Sequence, residues 1–101
     1  MKILCFGDSN TWGFISGTDH ERHTNRWTKL LKQNLGDNFE IIEEGLNSRT
    51  FATDYIDKIG RNGFSYFVPC IYSHDKIDIV ILMLGTNDLK TNFNYSPKTA
   101  L

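Results

Sequence analysis

An unbroken apolar run, Ile79-Val80-Ile81-Leu82-Met83, gives way abruptly to Leu84-Gly85-Thr86-Asn87-Asp88. Strands with one wet face alternate apolar and polar residues. A run without alternation suits a parallel strand covered on both faces. Asn87 and Asp88 then fall just past the carboxyl end of that strand, where open α/β sheets keep their ligands. The N-terminus repeats the pattern, with Lys2-Ile3-Leu4-Cys5-Phe6 running into Gly7-Asp8-Ser9-Asn10. Two strands that each deliver a short polar box point to one shared site.

Between these runs the chain reads as β-α-β-α-β. Residues 2–6 form the first strand, and Asp8 to Phe14 turns outward between Gly7 and Gly13, points of backbone freedom. Residues 15–23 make a polar loop. Thr24 or Asn25 can cap a helix through about Leu35, with Trp27, Leu30, Leu31 and Leu35 at helical spacing and Gly36 as its stop. Residues 39–43 make the second strand, and residues 44–50 the turn after it. A short helix is expected over 54–60, and a crossover helix over 64–73. Pro69 has to sit near the start of that helix or at a kink. Residues 79–84 form the third strand, and no clear element follows Asp88. Right-handed parallel crossovers give a doubly wound, flavodoxin-like sheet in the order 2-1-3. The most apolar strand then lies at an edge, a hazard that soluble proteins avoid. Residues 79–84 therefore call for a neighbour from further sequence, a second copy or a complementing chain.

The 101 residues, 40% of them apolar, fit one domain, and a formal charge of −1 without charged blocks recommends neither nucleic acid nor an anionic membrane as partner. No run approaches the roughly 20 apolar residues that cross a bilayer. Met1-Lys2 leads straight into the first strand with no export-leader pattern, so a cytoplasmic location is expected. Cys5 and Cys70 have neither disulfide-framework nor metal-motif spacing and read as small buried hydrophobes. No His, Cys or carboxylate cluster has metal-ligand spacing, and no cofactor or metal is expected.

Three polar boxes carry the chemistry. In the first, Ser9 follows the first strand directly, with Gly7 allowing close backbone approach and Asp8 able to lock the turn. Its hydroxyl is placed as a nucleophile and its N–H as an oxyanion donor. All four residue types of this box also favour a plain turn. The second box, Gly45-Leu46-Asn47, offers a glycine whose N–H is unobstructed, or again a simple turn. The third offers the Asn87 side-chain amide as a donor, while Asp88 fits a loop brace better than a reactant. Trp12, three residues after Ser9, could wall an acyl or alcohol pocket or pack as an ordinary aromatic. Trp27 reads as core. Arg49 fits loop bracing better than substrate contact.

These boxes resemble conserved blocks of the SGNH (GDSL-type) esterases and lipases, with Gly7-Asp8-Ser9-Asn10, Gly45 and Gly85-Thr86-Asn87-Asp88 at the matching places. Asn10 stands where that family's eponymous leucine does. The wider stretches Asp8-Ser9-Asn10-Thr11-Trp12-Gly13, Glu44-Gly45-Leu46-Asn47-Ser48-Arg49-Thr50 and Leu82 to Lys90 resemble the arylesterase/acyltransferase branch. The resemblance implies a three-layer α/β/α fold, of which residues 1–101 make the N-terminal part of a single domain. It implies Ser9 as nucleophile, with Ser9 N–H, Gly45 N–H and the Asn87 amide as oxyanion donors. Trp12 and Asn47 fall on the substrate side, with Asp8, Asp88 and Arg49 in support. The implied reaction is hydrolysis of small acyl or aryl esters, with acyl transfer to alcohols as a variant.

One block is missing. The family's catalytic Asp and His lie in an Asp-x-x-His motif, and none follows Asp88 here. A serine hydroxyl is a weak nucleophile without a base in hydrogen-bond reach. His74 precedes the third strand, at the far end of the sheet from Ser9. His20 and His23 lie on the correct side but read as solvated loop residues. The chain alone is therefore not expected to be a competent esterase. Two rivals remain: a flavodoxin-like module for a small anion, which lacks the usual Gly-rich phosphate loop, and a non-catalytic fragment that pairs with another chain.

Overall fold

A computed structural model describes residues 1–55 and 58–89. Three parallel strands, β1 (Lys2–Gly7), β2 (Glu40–Gly45) and β3 (Ile79–Met83), form one open sheet in the expected order 2-1-3. Residues Ile3 to Phe6 of the central strand are buried, as strands covered on both faces must be. The register sets Gly7 level with Gly45 on one side and Met83 on the other. All three strands therefore end at the same height, and the loops that leave them start side by side.

Each face carries its own helix. Helix α1 (Ser9–Trp12) is a single turn directly after β1, and α2 (Trp27–Leu35) follows it on the same face. Helix α3 (Gly63–Ser73) covers the other face, where Cys70 packs with Leu4 and Phe6, flanked by Ile42, Phe67, Ile77 and Leu84. Because side chains alternate along a strand, Glu43 faces Arg26 and Thr28 while Glu44 faces His74.

Some boundaries differ from the sequence reading. Helix α2 begins at Trp27, after Arg26 in an extended conformation with no side-chain cap, rather than behind a Thr24 or Asn25 cap. Arg26 forms a bidentate pair with Glu43 at 2.6 and 3.0 Å, so a tertiary contact sets the start. Among the described residues of 54–60 there is no helix, and Ile56 and Asp57 lie outside the described set. This segment is closed as a loop by Thr50 N–H on the Arg61 carbonyl and by Asn62 on the Asp54 carboxylate. Pro69 sits inside α3 rather than near its start. The helix is capped instead by the Asn62 side chain, which accepts from Ser65 N–H. The expectation for the chain after Leu89 falls on residues outside the described set.

Strand β3 is an open edge, with Ile79, Val80, Leu82 and Met83 all exposed. No described helix is long and apolar enough to cross a membrane.

Candidate active site

The three strand ends meet in a hydrogen-bonded junction. Gly7 is compact out of necessity, since a Cβ there would lie 2.1 Å from Thr11 Oγ1 and 2.9 Å from the Met83 carbonyl. Asp8 is buried and caps α1, its carboxylate accepting from Asn10 N–H at 3.0 Å and its carbonyl from Trp12 N–H at 2.9 Å. Ser9 is thereby fixed as the first residue of a tight turn, half-buried, with no hydrogen bond from its hydroxyl to a described residue. Gly13, at φ 93°, takes the left-handed conformation that ends the turn.

From β2, Leu46 N–H donates to the Gly7 carbonyl at 3.2 Å. Leu46, rather than Gly45, is thus the residue whose N–H is used on the Gly7 carbonyl. Close packing accounts for this glycine: a Cβ would lie 2.4 Å from Trp12 N. In the turn that follows, Leu46 and Arg49 N–H have backbone partners, while the Asn47 and Ser48 amides have none among the described residues. Ser48, at φ 68°, is the one described non-glycine residue in the left-handed region. Such conformations cluster at functional loops, and no pattern in the sequence signals this one. The Asn47 side-chain oxygen is buried without a partner among the described residues, rather than opening onto the surface.

Arg49 ties the junction together. Buried, it donates from Nη1 to the Gly7 carbonyl at 3.2 Å and to the Glu44 carbonyl at 2.5 Å, and its guanidinium lies 4.1 Å from the Phe6 ring centre. Burial lowers its pKa from the ordinary value, against the opposing pull of the Glu44 charge. Its own carbonyl accepts from the Asn87 side-chain amide at 2.9 Å. An amide nitrogen carries two N–H groups, so this bond fixes Asn87 and leaves one donor over. Asp88 is buried beside it. Its carboxylate accepts from Phe51 N–H at 2.7 Å, Thr53 Oγ1 at 2.9 Å and Ala52 N–H at 3.4 Å, joining the third loop to the second. Gly85, at φ 121°, makes the turn out of β3 that allows this.

Trp12 is half-buried, with the His20 ring centre 4.5 Å from its own and the Arg22 guanidinium 5.0 Å over its face. Arg22 Nε also donates to the Trp12 carbonyl. None of the three histidines is hydrogen-bonded to Ser9 among the described residues. The backbone places His74 before β3, yet its side chain reaches the Glu44 carboxylate at 2.9 Å. Sequence spacing also missed a cluster: Glu44, Cys70 and His74 bring their ligating atoms within 4.8 Å of one another. Only the i, i+4 separation of Cys70 and His74 could have signalled it. Cys5, on the other face, is a buried free thiol, its pKa pushed up to about 11 by burial and by the nearby Glu43 charge.

Both the sequence and the fold have counterparts among known proteins. A family model described as GDSL-like Lipase/Acylhydrolase family matches residues 5–100. The native M. smegmatis aryl esterase structure is 47% identical, with a TM-score of 0.91, over 96% of this chain and 47% of that one. Est24, a carbohydrate acetylesterase from Sinorhizobium meliloti, is 42% identical with a TM-score of 0.90, over 95% of this chain and 47% of its own. The chain thus spans about half the length of these solved structures. Among curated proteins, none matches.

Proposed function

The chain belongs to the GDSL-like lipase/acylhydrolase family, and from that premise we propose that it carries the nucleophile half of an SGNH serine esterase acting on small acyl or aryl esters. The observation that supports this most is the junction itself, in which one buried arginine links the loop bearing Ser9, the turn after β2 and the Asn87 amide.

In the proposed reaction Ser9 Oγ attacks the ester carbonyl while a base outside the described residues takes its proton. The carbonyl oxygen becomes an oxyanion, received by Ser9 N–H and by the free N–H of Asn87. The resemblance nominated Gly45 N–H as a third donor. We keep Gly45 N–H in that role, at the start of a turn whose Asn47 and Ser48 amides also have no partner among the described residues. Collapse expels the alcohol or phenol with the proton from the base and leaves an acyl-serine. Water releases the acid, or an alcohol takes the acyl group in its place. Trp12, flanked by His20 and Arg22, forms a wall beside the nucleophile for the acyl or alcohol group. Asp88 and Asp8 serve the loops rather than the substrate. The exposed edge of β3 is where the remainder of the enzyme, bringing the Asp and His, would add its strands.

The test uses the protein with its complete reading frame. A fluorophosphonate probe is expected to label Ser9, and Ser9→Ala to lose both labelling and aryl acetate hydrolysis. Asn87→Ala is expected to keep the fold and lower kcat by about 10²–10³, the usual cost of one oxyanion donor. Unchanged labelling in Ser9→Ala, or near-normal turnover in Asn87→Ala, would overturn the assignment.

A further inference from the structure

A second polar cluster lies between β2 and α3 and takes no part in the proposed ester chemistry. Cys70 lies in the last turn of α3, and His74 caps the end of that helix with its N–H on the Ile71 carbonyl at 3.3 Å. Glu44 meets them from the sheet, with its Oε2 2.9 Å from His74 Nε2, and Cys70 Sγ completes a trio within 4.8 Å. We propose that Glu44, Cys70 and His74 form a binding site for a zinc-type divalent cation that fastens the end of α3 to β2.

The donor set decides the class of ion. One thiolate, one imidazole and one carboxylate match the ligands zinc takes, whereas calcium and magnesium require oxygen alone. A tetrahedral ion with bonds of about 2.0–2.3 Å holds its ligand atoms roughly 3.5 Å apart. The present spacings reach that by small side-chain rotations, with the His74–Glu44 hydrogen bond opening and Cys70 drawing in. The thiolate and carboxylate together carry two negative charges, which neutralise the ion. An entry path exists, since Cys70 is wholly buried but the Glu44 and His74 side chains keep 22% and 25% of their surface open to solvent. Three protein ligands leave a fourth position for water. A bound ion adds stability only to the folded chain, so it raises Tm in proportion to its free concentration over its Kd.

The competing account is a plain His–Glu hydrogen bond beside a core cysteine. Cobalt(II) separates the two, because a thiolate bound to it gives a charge-transfer absorption that an imidazole–carboxylate pair cannot give. The reduced, metal-free full-length protein is expected to develop this band and saturate at one equivalent, to lose it when zinc is added, and to gain Tm with zinc. Cys70→Ser and His74→Gln should each abolish the band. Cys5→Ser, which alters the other thiol of residues 1–101, should retain it. His74 is partly exposed, so His74→Gln decides the matter if Cys70→Ser does not fold. No band in the wild-type protein, a band that survives His74→Gln, or one that disappears with Cys5→Ser would overturn the proposal. None of these readings depends on esterase activity.

Discussion

Glu43 and Glu44 are neighbours in β2 with the same side chain, yet the strand turns them to opposite faces and into different chemistry. Glu43 is held by fixed donors: Arg26 at 2.6 and 3.0 Å, Thr28 Oγ1 at 2.5 Å and Lys29 at 3.4 Å. Burial alone would raise its pKa. The hydrogen bonds from Arg26 and Thr28, with the charges of Arg26 and Lys29, outweigh that and hold the carboxyl at about 2, against an ordinary 4.5. Glu44 instead faces groups that can exchange protons. Its charge is the main cause of the raised Tyr66 pKa, and it adds to burial in pushing the Cys70 thiol up to about 11. One glutamate is a fastening between sheet and helix. The other sits in a cluster that can rearrange around a ligand, with Arg49 as the cation that keeps it in balance.

The largest effect should come from removing that balance. Arg49→Met takes away a buried guanidinium bonded to two carbonyls and leaves the Glu44 side of the sheet without its compensating charge. Leaving a buried carbonyl acceptor without its donor costs about 1–3 kcal/mol, and two lose theirs here. Urea unfolding should show that loss as a fall in midpoint at unchanged slope. A loss below about 1 kcal/mol, the worth of an exposed pair, would mean that the two faces are not electrostatically distinct.

Acid should expose the Glu43 fastening. Its folded pKa lies below its unfolded one, so the carboxylate contributes stability that is complete above about pH 4.5 and fades as pH falls toward 2. A shift of this size corresponds to roughly 3 kcal/mol, lessened by screening because the side chain is 19% exposed. Glu43→Gln should therefore be the less stable protein at neutral pH and converge on the wild type near pH 2. Parallel stability curves across that window would show that Arg26 and Thr28 gain nothing from the charge.

The same contrast shows what was legible in the sequence. Strand order, the layered fold and the position of Ser9 and Asn87 at strand ends follow from apolar runs that stop at glycines, a local signal. Family membership follows from the ordered boxes. Long-range pairing was not legible. The bidentate hold of Arg26 on Glu43 moved the start of α2, and nothing near residues 24–27 announces a partner in β2. The reach of His74 to Glu44 escaped a count along the strand because the side chain spans what the backbone does not. The reason Gly45 must be a glycine was not legible either: a Cβ there would meet the Trp12 backbone of α1, a long-range contact.

The smallest effect concerns the outer member of the Glu43 cluster. Lys29 approaches the same carboxylate as Arg26, but its side chain is 49% exposed against 10% for Arg26, and it meets one oxygen at 3.4 Å rather than gripping two. Water screens its charge, and holding a long flexible chain in place costs entropy, so exposed pairs contribute about 0.2–1 kcal/mol. Lys29→Ala should cost no more than about 0.5 kcal/mol at low salt, and the difference should vanish at 1 M salt, where the Debye length shrinks to about 3 Å. Arg26→Ala at the same carboxylate should keep most of its cost in that salt, because its hydrogen bonds are sheltered by the helix. If both losses were equally sensitive to salt, the pairing of Glu43 would be surface electrostatics, and the distinction drawn between it and Glu44 would reduce to exposure alone.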